Sequence, residues 1–92
     1  MIRLKQKGAD TMSRIEKKLG SVIRKRRKTL GLSQEEFAEK AQIHRTYVSD
    51  IELGKVNVGI SVVEKIAAAL GKPLNVLLRE AEQDYTVKPK KK

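Results

Sequence analysis

Gly31-Leu32-Ser33-Gln34-Glu35-Glu36-Phe37-Ala38-Glu39-Lys40-Ala41 is followed, after Gln42-Ile43-His44, by Arg45-Thr46-Tyr47-Val48-Ser49-Asp50-Ile51-Glu52-Leu53-Gly54-Lys55. Ser33 and Glu36 have the spacing of a capping box, in which hydroxyl and carboxylate each satisfy a backbone N–H left free at a helix start. Leu32 before the cap and Phe37 at the fourth helical position have the hydrophobic-staple arrangement. Phe37, Ala38 and Ala41 then form a buried stripe. The next segment predicts a helix from 44 or 45 to 53, with Val48 and Ile51 facing inward and Gly54 stopping it. Its other face carries Arg45, Thr46, Ser49 and Asp50, with Tyr47 at the edge, all short or planar groups suited to hydrogen bonding. Two short helices about three residues apart, the second polar outside, are the pattern of a helix-turn-helix and equally of a plain αα-hairpin in a bundle.

The rest of the chain is helical in period and no stretch alternates as a strand does. A first helix is expected to start at Ser13, where Ser13 and Glu16 form a second capping box, and to end at Gly31. Ile15, Leu19, Val22 and Ile23 line its apolar side, and Gly20 is a weak point within it. A fourth helix spans about 60–70, burying Val63, Ile66, Ala67 and Leu70, and Gly71 closes it. A fifth starts at Pro73 and presents Leu74, Leu77, Leu78 and Ala81. The expected class is all-α, a compact five-helix domain over 13–82. A basic extension, 1–12, precedes it, and a basic disordered tail, 83–92, follows.

The chain has 92 residues, enough for one domain, and no cysteine, which removes disulfides and thiolate metal sites. Its only histidine, His44, cannot build a metal site alone, so neither metal nor cofactor is expected. The longest apolar run, Ile66-Ala67-Ala68-Ala69-Leu70, is far below the roughly 20 residues that cross a bilayer. Residues 1–7 have no signal-peptide core, so the expected location is cytoplasmic, with no membrane partner. Net charge is +10, concentrated in 13–32 and at the two ends, while 33–83 is slightly acidic. A polyanion is the natural partner for such a chain, and a solvated basic surface is the bland alternative. Phe37, Tyr47 and Tyr85 are the only aromatics, too few for platforms that stack unpaired bases.

Residues 31–41, 45–52 and 54–55 together resemble the lambda-repressor-like (Cro/cI, XRE-type) family. The likeness continues through Val63-Glu64-Lys65-Ile66-Ala67-Ala68-Ala69-Leu70-Gly71 and Leu74-Asn75-Val76-Leu77-Leu78 and covers 13–82. Within that family His44-Arg45-Thr46-Tyr47-Val48-Ser49 is most similar to the controller proteins of restriction–modification systems. The resemblance implies a homodimeric transcriptional regulator on a pseudo-palindromic duplex operator, with RNA polymerase as a further partner. It implies that the third helix reads bases: Arg45 a guanine edge, Thr46 a base or thymine methyl, and Ser49 a base or phosphate. Tyr47 then touches backbone or base, or mainly packs, and Asp50 accepts from cytosine or orients Arg45. Gln34, His44, Lys55 and Asn57 are the phosphate candidates. Arg27 and Glu52 are implied to form a partly buried ion pair. Leu74, Val76, Leu77 and Leu78 are more apolar than one small core requires, which predicts a dimer interface there. The loop Val56-Asn57-Val58-Gly59 departs from the family, which commonly has a proline and a Ser or Thr cap there. Residues 1–12 have no family counterpart, and Met12 offers an alternative start.

Four other functions compete. An enzyme lacks a catalytic dyad, a phosphate-cradling loop and a metal cluster. A protein-interaction adaptor or an antitoxin-type autorepressor can use the same fold. Membrane-surface binding by the first helix is opposed by the core's need for that helix's apolar stripe.

Overall fold

The computed structural model describes the backbone of residues 4–86 and the side chains of 15–83. Five helices follow one another: α1 (Leu4–Thr29), α2 (Gln34–Ala41), α3 (Arg45–Glu52), α4 (Ile60–Leu70) and α5 (Leu74–Thr86). No strand occurs among the described residues. α1 lies against α5 and α3, α2 against α3 and α4, and α4 against α5. Phe37, Ile23, Ile51, Ile66, Leu77 and Val48 are the largest side chains fully enclosed between them.

Local chemistry ends most of these elements where expected. Glu36 N–H donates to Ser33 Oγ at 3.0 Å and Ser33 N–H to Glu36 Oε1 at 2.8 Å, closing the reciprocal cap of α2. Past the end of α3, Gly54 N–H donates to Ile51 O and Lys55 N–H to Asp50 O, with Gly54 at φ +72°. That is a Schellman closure, which favours glycine because the left-handed backbone crowds a Cβ. α2 closes in the same way on a residue that is not glycine: Gln42 at φ 61° lets Ile43 N–H reach Ala38 O.

α1 departs from expectation at its start. It runs unbroken from Leu4, so position 13 lies in mid-helix and is not a helix start. A Ser/Glu spacing caps only where the preceding chain leaves the helix, and residues 4–12 contain no proline and mostly good helix formers. Of the expected extension, 4–12 are thus the first turns of α1, and 1–3 lie outside the described residues. Residues 83–86, expected to be disordered, complete α5, and the rest of that tail, 87–92, also lies outside the described residues. Ile15, expected on the apolar side of α1, is 46% exposed.

Candidate nucleic-acid interface

α3 is an eight-residue helix, too short to hold its shape alone, so its pose depends on what grips it. Val48 and Ile51, each 1% exposed, bury one face. Its C-terminal end is pressed against α1. A methyl group added at Gly20 would collide with the carbonyl oxygen of Ile51 and come within 2.8 Å of that of Glu52. One added at Gly54 would lie 2.5 Å from Cγ of Lys17. Gly20 is therefore the point of closest approach between the two helices, not the weak point its helix propensity suggests.

Beside that contact sits a buried polar cluster. Arg27 Nε donates to Glu52 Oε2 at 2.6 Å and Nη2 to Oε1 at 3.0 Å, while Nη1 reaches Leu32 O at 2.7 Å. Gln34 Nε2 donates to Glu52 Oε1 at 3.1 Å. The hydrogen bond to Glu52 raises the Arg27 pKa above its ordinary value, against the opposing effect of burial. One carboxylate thus ties together the end of α3, the last turn of α1 and the start of α2, and its desolvation is offset by a two-pronged guanidinium contact.

With its far side held, α3 offers its N-terminal half to solvent. Arg45 and Thr46 are exposed, Ser49 and Asp50 half-buried, and Tyr47 leans partly into the core. His44 precedes the helix as its N-cap and makes no side-chain hydrogen bond to the first turn. Lys55 and Asn57 are exposed in the loop that follows. Gln34, expected to offer its amide to a phosphate, spends one amide hydrogen on Glu52 and keeps a second. Neither the Gln34 contact nor the role of Gly20 was anticipated from sequence. A glycine inside an otherwise good helix was the one available signal of close approach.

One expectation is overturned. Leu77, assigned to a dimer interface, is fully buried in the core of its own chain, and Leu74 packs partly against that core. Val76 is partly exposed and Leu78 is 37% exposed. The turn of α5 that meets α1 is set by how the two helices cross, which spacing alone does not fix.

Residues 23–77 match the helix-turn-helix family. Control protein C.MunI from Mycoplasma sp is 42% identical over 74 residues, covering 79% of this chain and 100% of that protein. The restriction–modification controller protein C.AhdI from Aeromonas hydrophila superimposes with a TM-score of 0.66 at 35% identity, over 67% of this chain and 94% of its own. The clp gene regulator ClgR from Corynebacterium glutamicum gives 0.75 at 26% identity, over 80% and 79%. A buried face that fixes α3, a polar face left open, and relatives matched along most of their length lead to one conclusion: this chain belongs to the helix-turn-helix family of lambda-repressor-like transcriptional regulators, among whose members are the control proteins of restriction–modification systems.

Proposed function

We propose that this chain is a sequence-specific regulator of controller type, binding as a dimer to a pseudo-palindromic operator and acting without an enzymatic step. The observation that carries the reading is the asymmetry of α3: Val48, Ile51 and Glu52 are sealed while Arg45 and Thr46 stand in solvent. Arg45, with Thr46, Ser49, Tyr47 and Asp50 around it, is the base-reading group, since a guanidinium matches the two acceptors of guanine in the major groove. Gln34, His44, Lys55 and Asn57 hold phosphates on either side. Dimer contact falls to Leu74, Val76 and Leu78, apolar α5 side chains that the core does not fully enclose. RNA polymerase is the partner an activating role requires, and the cytoplasm is where such a regulator meets DNA. Among the described residues no helix is long and apolar enough to cross a membrane.

Selection of bound sites from random duplexes, followed by titration of two variants, tests this reading. Arg45→Ala is expected to cost about 1–3 kcal/mol on the selected site and to relax preference at one base pair. Lys55→Ala should weaken all duplexes alike and reduce the salt slope by about one unit. Selection that returns no consensus, or two variants with the same profile, removes the reading in favour of an adaptor role.

A further inference from the structure

The helix-turn-helix of this chain is short of positive charge. Residues 33–55 carry three cations, Lys40, Arg45 and Lys55, against five acids. α1 carries ten cations against two acids. An element that is net acidic draws a polyanion poorly, because the salt-dependent part of DNA affinity comes from cations that displace counterions. We infer that the outer flank of α1 is a second DNA-contacting surface, which holds the duplex backbone without reading bases and supplies most of the salt-dependent affinity. The inference rests on the DNA-binding reading above and assigns to α1 a role that reading leaves open.

Placement supports it. With Gly20, which meets α3, taken as zero and about 100° of rotation per residue, Arg24, Lys17 and Lys28 fall at about 40°, 60° and 80°. Lys25 follows at about 140°, and all four residues are exposed. The core positions Leu19 and Ile23 lie on the opposite side of the Gly20 line. In the N-terminal turns of α1, backbone positions 14 and 7 fall at about 120° and 140°, so Arg14 and Lys7 continue the same arc. Asp10 is its one acid, and Glu16 lies on the other side. The arc begins where α3 ends: Lys17 packs on Gly54, and the next residue is Lys55, itself a phosphate candidate. At 26 residues α1 is roughly 39 Å long, against about 34 Å for one turn of DNA. It can follow phosphates beyond the half-site that α3 reads. Contiguity with the end of α3 favours the same duplex over an acidic protein or an anionic lipid surface.

The test uses fluorescence anisotropy from 50 to 200 mM salt, with the operator recovered by selection and a scrambled duplex of equal length. The proteins are wild type, the triple variant Lys17→Gln, Arg24→Gln, Lys28→Gln, and a chain beginning at Met12. Because all three side chains are exposed, the triple variant should melt with wild type. Three lost phosphate contacts reduce the salt slope by about 2.7 units, so wild type should weaken roughly 40-fold more than the variant over that range. The operator-to-scrambled ratio stays unchanged. The chain from Met12 should show a smaller drop in slope and a shorter protected stretch of backbone. A triple variant with wild-type slope on both duplexes overturns the inference and leaves the regulator reading intact. So does an unchanged slope combined with binding of α1 to acidic peptides or anionic vesicles. A wild-type protein that prefers neither duplex removes the regulator reading itself.

Discussion

Arg26 and Arg27 are neighbours on α1, and each holds a glutamate through two hydrogen bonds, yet they do different work. Arg26 pairs with Glu80 of α5 with the two side chains 28% and 32% exposed. Arg27 pairs with Glu52 of α3 at 8% and 2%. Water beside the first pair screens it and competes for its hydrogen bonds, so it adds little to stability. The second pair, out of water, has no substitute partner, and losing one member strands a charge. Helix rotation of about 100° between adjacent residues is enough to send one arginine to a surface seam and the other beneath α3.

The two ion pairs should differ most when their glutamates are removed, and Glu52 carries the larger effect. Glu52→Ala should lower unfolding free energy by about 3–5 kcal/mol in urea titrations, because it leaves the Arg27 guanidinium buried and unpaired. A loss below about 1 kcal/mol would place this pair in the same class as its neighbour.

Gly20→Ala comes next. The added methyl meets backbone carbonyls of α3, which cannot swing aside as a side chain can, and overpacking of this kind costs about 1–3 kcal/mol. Operator affinity should fall further than that loss of stability explains, because α3 must shift; unchanged affinity would show that its pose is set elsewhere.

On the open side, Arg26→Gln should change stability by no more than about 1 kcal/mol, and added salt should shrink the difference further. The smallest effect is in pH. The hydrogen bond from Arg26 holds the Glu80 carboxyl below its ordinary range, helped by the charges of Arg26, Lys72 and Lys25 and opposed by partial burial. A depressed carboxylate stabilises the fold above its unfolded pKa of about 4 and loses that contribution as pH falls through the folded value. The stability gap between wild type and Glu80→Gln should therefore be flat near neutrality and close below about pH 4. A gap that widens in acid reverses the assignment.

What was legible from the sequence follows from range. The cap of α2 and the glycines past α3 and α4 were readable because each is local chemistry within a few residues. The same spacing misled at Ser13, since a cap motif depends on the chain upstream turning away, and nothing upstream compels it to. Gly20 and Leu77 take their roles from contacts between distant segments: a carbonyl of α3 against one, the crossing of α1 and α5 over the other. The exposed polar face of α3 could be read as a pattern. That Gln34 shares Glu52 with Arg27 could not, because a glutamine at a helix start serves solvent, phosphate or carboxylate equally well.

The shared carboxylate has a consequence for how this regulator can diverge. Gln34 has one amide hydrogen on Glu52 and a second left over; if that second one holds a phosphate, as proposed, the grip on the DNA strand and the tilt of α3 meet at a single oxygen atom. Retuning of sequence preference need not begin at a residue that touches a base. Positions 20, 27 and 34 all bear on the end of α3, so under the proposed function changes there would tip the helix as a lever does and alter which edges Arg45 can reach, with the side chains facing DNA unchanged.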